Sequence, residues 1–273
     1  MEYKYFPHTE SEIKEMLDIV GVGSLDELYS DVPEEIRFKK EYDLPEAMSE
    51  MEVRRFFEAL GNENKRLVCF AGAGVYDHYT PAVVGRIVQR SEFLTSYTPY
   101  QAEISQGTLH YIFEYQSMMA ELTGMDISNA SMYDGSTATA EAMMMAVAAG
   151  KKCDTVLVSE TVDKKVLTVV KTYAKFHGVN IVMVKENDGI TDKADFQEKI
   201  AQKGVAGVIV QQPNRYGIVE DYAGYADTAH DNKALMIMNG VAADYAVLKT
   251  PAEWGADIAV GDGQSLGVPM MFG

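Results

Sequence analysis

Between residues 155 and 238 the sequence alternates short apolar segments with segments of helical pattern. The apolar segments span 155–158, 179–184, 205–210 and 235–238, and the helical ones span 164–177, 193–203 and 222–232. Buried strands that single helices separate pair in parallel through right-handed crossovers, with helices on both faces of the sheet. The sequence therefore predicts a three-layer α/β fold with a mainly parallel sheet, in which ligands bind at the carboxyl ends of the strands.

The part of the chain before this alternation has a different character. Residues 1–65 predict a charged helical segment, and residues 66–273 a large α/β domain. In the first part, Thr9, Ser24 and Ser49 are each followed three residues later by Glu. This spacing predicts capping boxes, in which the two side chains satisfy free backbone N–H groups where a helix begins.

Further helices are predicted at the start of the α/β domain. Pro81 is expected to open a helix that runs to about residue 90, because proline is well tolerated in a first turn. A loop over 91–103 is expected to precede a helix over 106–123, which Gly124 ends.

Composition narrows the class of protein and its partners. No apolar run approaches the roughly 18 residues of a membrane span, and the N-terminus lacks a signal peptide, so we expect a cytoplasmic protein without membrane contact. The formal net charge is −17, from 24 Lys and Arg against 41 Asp and Glu, which disfavours nucleic acid as a partner. The histidines lack metal-ligand spacing, and Cys69 and Cys153 do not form a CxxC motif, so no metal site is expected.

Two glycine-containing loops suggest ligand contacts. Residues 72–74, Gly-Ala-Gly, resemble half of a dinucleotide fingerprint, but the third glycine is missing and a tight turn is the favoured interpretation. The second loop, Asp134, Gly135, Ser136 and Thr137, precedes a Met- and Ala-rich helix. A helix N-terminus with such residues suits an anion or phosphate, whereas N-capping by Ser136 would use the same atoms, so both interpretations remain open.

A long loop over residues 96–106 is rich in aromatic and hydrogen-bonding side chains. It contains Tyr97, Tyr100, Gln101, Glu103 and Gln106. Aromatic side chains on a long loop become ordered only by packing against another surface. A subunit interface, a ligand pocket and the loop's own domain are the three alternatives.

The stretch AVGDGQSLGVP, residues 259–269, follows a predicted strand and turns through glycines into a polar loop. Loops of this kind hold ligands at the carboxyl edge of parallel sheets. This loop offers Asp262, Gln264 and Ser265, but no strong nucleophile or base.

Three stretches together resemble one family of enzymes. They read FAGAGVYDHYTPAVVGRIVQRSEFLTSYTPYQAEISQG, FEYQSMMAELTGMDISNASMYDGSTATAEA and GADIAVGDGQSLGVP. The sequence is similar along its length to the glycine cleavage system P-protein family, glycine dehydrogenase (decarboxylating), and within it to the α subunit or N-terminal half. The resemblance implies the type I pyridoxal-phosphate fold. It also implies a reaction in which glycine loses CO2 and the remaining aminomethyl group passes to the lipoyl arm of H protein.

The resemblance further implies that the site in this chain is degenerate. Catalytic members of the fold need a lysine that forms a Schiff base with the cofactor and an aspartate that keeps its pyridine nitrogen protonated. Here the corresponding strand ends in Asn239, the loop carries Gln264, and no lysine follows Lys249. We therefore expect no catalytic residue in this chain. A separate β subunit is expected to bind pyridoxal phosphate, and this chain alone is expected to be inactive.

The remaining candidates acquire roles from the same resemblance. Tyr97, Tyr100, Gln101, Glu103 and Gln106 are expected at the subunit interface, where they would shape the active-site entrance for glycine or the lipoyl arm. The loop 134–137 is expected to be a degenerate phosphate cup. Because chains of this fold continue into a smaller C-terminal domain, we expect this one to be truncated and to expose apolar surface that a partner covers.

Two alternatives are an autonomous pyridoxal-phosphate aminotransferase or lyase and a degenerate, non-enzymatic interaction module. The missing lysine and Asn239 argue against the first of them.

Overall fold

The computed structural model describes residues 7–65, 67–68, 70, 74 and 77–269. Cys69 and the first two residues of the 72–74 motif lie outside the described residues. Contacts divide the chain into two compact units, Met1–Val68 and Cys69–Gly273. That the segments before and after residue 65 are separate domains stays a prediction. No helix in the described ranges is both long and apolar enough to cross a membrane.

The first unit contains helices α1 (Glu10–Val20) and α2 (Glu50–Asn62), with a 3-10 turn at Leu25–Tyr29 between them. The capping boxes predicted at Thr9 and Ser49 are confirmed. The one predicted at Ser24 is wrong, because its side chain makes no capping hydrogen bond. The carboxylate of Glu27 instead accepts a hydrogen bond from the N–H of Gly23 at 3.0 Å, and the segment closes as a tighter turn.

The second unit contains seven described helices. These are α3 (Ala82–Val88), α4 (Ser91–Leu94), α5 (Gln106–Thr123), α6 (Gly135–Ala149), α7 (Lys164–His177), α8 (Lys193–Ile200) and α9 (Tyr225–Asp231). The predicted bounds of α5 are confirmed, and Gly124 ends it in the left-handed conformation (φ 73°). The predicted loop after residue 90 is wrong at its start. There the hydroxyl of Thr95 donates to the carbonyl of Ser91 at 2.6 Å and helps to close the short helix α4.

The strands of this unit are β1 (Thr155–Ser159), β2 (Asn180–Val184), β3 (Glu186–Asn187), β4 (Ile190–Thr191), β5 (Val205–Gln212), β6 (Leu235–Val241) and β7 (Ile258–Asp262). Five of them form one sheet in the order β2-β1-β5-β6-β7, and every pair is parallel. The predicted α/β fold with a parallel sheet is confirmed. The β3–β4 hairpin is an addition, built around Asp188 and Gly189, which both have positive φ.

Both faces of the sheet are covered, and successive residues of a strand pack on opposite sides. On one face, Leu157, Val208 and Met236 pack with residues of α8 and α9. On the other face, Val156 and Ile237 pack with residues of α6 and α7. This alternation is the two-residue period of a strand, and burial on both faces explains why the strands are almost uniformly apolar. The result is three layers, with the loops at the carboxyl ends of the strands left free to form a site.

Candidate functional site

The carboxyl end of β7 meets the N-terminus of α6. There the side chain of Asp262, the last residue of β7, accepts a hydrogen bond at its Oδ1 from the N–H of Gly135, at 2.8 Å. Gly135 is the first residue of α6 and is buried. The first N–H groups of a helix have no partner within it and carry the positive end of the helix dipole, which favours a carboxylate at this point.

Asp134 caps the same helix. Its Oδ1 accepts from the backbone N–H of Thr137 at 2.7 Å and from the hydroxyl of Thr137 at 2.8 Å. Capping by Ser136 is therefore wrong, since Asp134 has the extended backbone of an N-cap and Ser136 already lies within the helix. Two of the first three N–H groups of α6, those of Gly135 and Thr137, thus bind carboxylates of the chain itself.

Glycine at position 135 is what permits the approach of β7. A Cβ atom there would lie 2.7 Å from Oδ2 of Asp262 and 2.9 Å from the carbonyl carbon of Gly261. Both distances are shorter than a carbon can tolerate. On the other side of β7, Gly261 pairs with Gly240 of β6, and a Cβ on Gly261 would overlap the carbonyl oxygen of Gly240. The three glycines therefore allow α6, β7 and β6 to pack backbone against backbone.

Asn239 lies on β6 in the interior of this edge and is 7% exposed. Its Nδ2 donates to the hydroxyl of Thr139 on α6 at 2.8 Å, and that hydroxyl donates to the carbonyl of Gly135 at 2.6 Å. Both side chains are neutral, so the position where a strand could offer a carboxylate to a ligand instead forms a neutral hydrogen-bond chain to α6. This contact was not predicted from the sequence, because the two residues are 100 positions apart.

The loop after β7 contains no group that could form a covalent bond to a carbonyl cofactor. Gln264 begins a 3-10 turn, Gln264–Leu266, and is partly buried. Ser265 is also partly buried, and its hydroxyl oxygen has no hydrogen-bond partner among the described residues. The sequence contains no lysine after Lys249, whose Nζ lies 4.2 Å from the centre of the Trp254 ring.

A buried tyrosine of the turn after β6 packs against Gly240 of that strand. Tyr245 is buried in the 3-10 turn Ala242–Ala246, and a Cβ on Gly240 would collide with its hydroxyl. This hydroxyl has no hydrogen-bond partner in the described part of the chain. Burial, and to a lesser extent the carboxylate of Asp244, raise the pKa of Tyr245, so the phenol stays protonated at neutral pH. It adds a neutral group rather than a base to the site.

A second polar cluster lies at the ends of β1 and β4, and sequence reasoning missed it. The hydroxyls of Ser159, Thr161 and Thr191 lie 2.8 to 3.2 Å from one another and are buried. Beside them, the buried carboxylate of Glu220 accepts from the N–H of Thr191 at 2.7 Å and from the amide of Asn214 at 2.8 Å. Every member has a partner within the cluster, which indicates a structural role. Serine or threonine at the end of an apolar strand was the available signal.

The loop of predicted entrance residues is exposed. Tyr97 and Tyr100 are 80% and 81% exposed, and their ring centres are 6.3 Å apart. Gln101 and Glu103 are exposed as well, and Gln106 is the exposed first residue of α5. Within the described residues, no hydrogen bond or ion pair joins these side chains to the carboxyl edge of the sheet. Their placement at an interface or entrance stays a prediction.

Helix α5 exposes several large apolar side chains. None of its 18 residues is buried, and Phe113 and Met118 are 68% and 57% exposed. Further exposed apolar residues lie close to α5 in sequence, namely Leu94 at the end of α4 and Ile104, Ile127 and Tyr133 in loops. We call these residues together the α5 surface. Large apolar side chains that are exposed together on a contiguous surface are typical of protein interaction sites.

A metal centre has no support in the described ranges, since they contain no group of three or more His, Cys, Asp or Glu side chains arranged to hold an ion. At the carboxyl edge of the sheet, Asn239 is neutral and Asp262 is hydrogen-bonded to Gly135 of the same chain.

Comparison with known proteins places these features in a family. The family model described as "Glycine cleavage system P-protein" matches residues 3–273. The sequence is 48% identical over 276 residues to the probable glycine dehydrogenase (decarboxylating) subunit 1 of Bacillus pumilus, covering 100% of this chain and 61% of that protein. It is 49% identical to the protein of the same name from Moorella thermoacetica, over 98% of this chain and 60% of that protein.

The fold leads to the same family. A crystal structure of glycine decarboxylase (P-protein) of the glycine cleavage system, in inhibitor-bound form, superposes with a TM-score of 0.86 at 43% identity, covering 100% of this chain and 61% of that one. Cysteine desulfurase from Thermococcus onnurineus, at 18% identity, shares the fold with a TM-score of 0.51, covering 79% of this chain and 53% of that one. The predicted type I pyridoxal-phosphate fold is thereby confirmed.

The chain spans about 61% of the length of the curated relatives it matches. The match nevertheless extends over nearly all of its own residues, from the N-terminal helices through the loop after β7. Similarity over nearly the whole chain and a common fold support one conclusion. The chain belongs to the glycine cleavage system P-protein family.

Proposed function

We propose that this chain is the subunit of glycine decarboxylase that does not carry the cofactor. With a lysine-bearing β subunit, it would decarboxylate glycine and pass the aminomethyl group to the lipoyl arm of H protein. The relatives named as subunit 1 support the existence of a partner subunit. The proposal rests above all on the edge formed by β6, β7 and the loop after β7, where Asn239 is neutral and no lysine is present.

The residues at this edge do not fit pyridoxal phosphate. A cofactor lysine would have to reach the site from the loop over 261–265, and this loop reads Gly-Asp-Gly-Gln-Ser. The amide of Gln264 is not a nucleophilic amine and cannot take the place of lysine. Lys249, the nearest lysine in sequence, is exposed and lies over the ring of Trp254.

Asn239 provides a second mismatch. A protonated pyridine nitrogen needs a negative charge beside it, because only an opposite charge favours the protonated ring strongly. Asn239 is neutral, and its amide hydrogen is directed to Thr139. We therefore assign the cofactor to the partner subunit. There pyridoxal phosphate supplies an acceptor for the electrons that remain when CO2 leaves.

The contribution of this chain would then be to complete the active site from the other side of a subunit interface. The exposed loop with Tyr97, Tyr100, Gln101, Glu103 and Gln106 has the phenols, amides and carboxylate that could orient an amino acid or an amide-linked lipoyl arm. In an assembled enzyme, packing against the partner would order the two tyrosines and exclude water from the entrance.

The α5 surface supports an obligate partner of similar apolar character. Phe113 and Met118 are largely exposed in this chain, and burying such side chains drives most protein association.

Reconstitution tests this function. This chain, a lysine-bearing homologous chain and lipoylated H protein are combined, and glycine-dependent exchange of labelled CO2 is measured. We expect exchange only when both chains are present, and co-purification of the two chains. Exchange by this chain with H protein alone would disprove the proposal that a partner chain must supply the cofactor.

A second measurement locates the cofactor. The assembled enzyme is treated with pyridoxal phosphate and borohydride, which fixes the cofactor to its lysine, and the labelled peptide is identified. We expect the label on the partner chain. A stoichiometric label on one residue of this chain would contradict the proposal even if the assembly is active.

A further inference from the structure

We propose that Asp262 is a built-in anion for the N-terminus of α6, and that it closes this part of the chain to ligands that carry a phosphate. The proposal concerns noncovalent anion binding by this chain alone. It therefore goes beyond the absence of a cofactor lysine, and it holds whether or not the chain assembles into an active decarboxylase.

The hydrogen bonds at the helix start support this role. A phosphate bound by a helix N-terminus needs several free N–H groups that converge on it. At α6 the N–H of Gly135 is bound by Asp262 at 2.8 Å and the N–H of Thr137 by Asp134 at 2.7 Å. The next N–H, that of Ala138, donates to the backbone carbonyl of Asp134 at 2.9 Å. Ser136 alone among these residues keeps an N–H for an incoming anion.

Space at the helix start is taken as well. An atom placed where a Cβ of Gly135 would lie comes within 2.7 Å of Oδ2 of Asp262 and 2.9 Å of the carbonyl carbon of Gly261. The exposed residue Asp262 thus contacts Gly135 both at its N–H and beside its Cα, and the backbone of β7 lies against the same Cα. Because a phosphate and a carboxylate carry charge of the same sign, the two cannot both lie against Gly135 without strong repulsion.

The position of Asp262 follows from the sheet. Asp262 pairs with Val241 and Gly261 with Gly240, so the register of β7 against β6 places the carboxylate at the end of the last strand. Since Gly240 and Gly261 lack side chains, the two strands approach closely and bring this end of β7 against α6. The pairing of β7 with β6 therefore fixes the backbone position of Asp262, and the hydrogen bond to Gly135 fixes its carboxylate.

The test compares this full chain with an Asp262→Ala variant, using inorganic phosphate as the probe. The backbone amide of Gly135 is followed by NMR as phosphate is added. We expect no saturable shift in the unaltered chain and a saturable shift in Asp262→Ala, because one close like charge has been removed. The matched control is Asp221→Ala, which removes the same charge from an exposed side chain that also accepts from a backbone N–H.

An Asp262→Asn variant covers the case in which alanine prevents folding. Asparagine keeps an oxygen for the N–H of Gly135 but removes the charge, so phosphate should again bind, more weakly than in the alanine variant. Saturable binding of phosphate at Gly135 in the unaltered chain would overturn the proposal. So would failure of both folded variants to bind phosphate there. Neither result depends on the partner chain, so the proposed enzymatic function would be judged separately.

Discussion

The side-chain amide of Asn239 is bound to the hydroxyl of Thr139, 2.8 Å away across the boundary between strand β6 and helix α6. The hydroxyl has one proton, which it donates to the carbonyl of Gly135 at 2.6 Å. It can therefore only accept from residue 239. An amide satisfies this requirement and an ionised carboxylate does not.

The first prediction concerns Asn239→Asp. We expect the free energy of unfolding to fall by about 2–4 kcal/mol at pH 7, because the new carboxylate is buried and faces an oxygen with no proton to donate. Burial would raise its pKa above the unfolded value of about 3.9. The variant would thus be least impaired below pH 4 and would lose stability as the pH rises through the raised pKa. Urea denaturation at several pH values measures this.

Asn180→Asp is the matched control, since Asn180 also donates to a threonine hydroxyl, that of Thr155 at 3.3 Å, but is exposed. Its effect should be much smaller. Equal losses in the two variants would show that burial at the β6–α6 boundary is not the cause.

The second prediction concerns Asp195 on α8. Burial raises the pKa of Asp195, but hydrogen bonds from the side chain of Lys199 at 2.6 Å and the backbone of Lys185 at 2.8 Å outweigh it, and the net pKa is lowered. A lowered folded pKa stabilises the protein above the unfolded pKa of about 3.9, and this stabilisation disappears as the pH falls through the folded value. Asp195→Asn should therefore cost about 1 kcal/mol at pH 7.

The difference between Asp195→Asn and the unaltered chain should shrink in acid, which denaturation at pH 7 and at about pH 3 would measure. Glu198→Gln, on the exposed side of the same helix, serves as the control and should change stability little at either pH. A difference for Asp195→Asn that grows as the pH falls would be inconsistent with the lowered pKa.

The third prediction tests the α5 surface. Phe113→Glu should weaken association with the β subunit about tenfold or more, because a charge would replace a large apolar side chain in the proposed interface. The stability of the isolated chain should change little, since Phe113 is 68% exposed. Sedimentation of the mixed chains measures the association. Phe176→Glu is the control on α7, where Phe176 is 76% exposed. If Phe113→Glu and Phe176→Glu weakened association with the β subunit equally, the α5 surface would not be the specific contact.

The fourth prediction concerns the proposed entrance. Tyr100→Phe removes a hydroxyl and Glu103→Gln removes a negative charge, each with little change in the shape of the side chain. In a reconstituted two-chain enzyme, each should lower glycine-dependent CO2 exchange about tenfold, the value of one hydrogen bond, while the two chains still co-purify. Tyr29→Phe, at another exposed tyrosine, should leave exchange unchanged. Full exchange by both entrance variants would remove this loop from the active site.

Local patterns were enough to predict most of the fold. The apolar segments of β1, β2, β5 and β6 and the limits of α5 follow from residue periodicity and from Gly124, because these signals lie within a few residues of the element that they define. The turn of Asp188 and Gly189 was available in the same way, since this pair favours a two-residue hairpin. At Ser24 the local pattern failed, because Glu27 had a competing partner in Gly23.

The candidate site could be predicted only in part. The absence of lysine from the loop after β7 is a property of the sequence, and so is the amide at Asn239. The bond between Gly135 and Asp262 joins residues 127 positions apart, and no local pattern pairs them. Its existence depends on the register of β7 and on glycines that let three backbones approach, which are properties of the folded chain.

The same long-range bond has a consequence for the order of folding. Helix α6 is synthesised early in the α/β unit, but its first N–H finds its partner only when β7 joins the sheet. Until then the N–H of Gly135 would lack its partner in the chain. Contacts between residues so far apart in sequence form slowly. A nascent chain that ends before Asp262 would therefore hold α6 weakly at its start. Pairing of β7 with β6 would at the same time bring Asp262 to the N–H of Gly135 and so join α6 to the sheet.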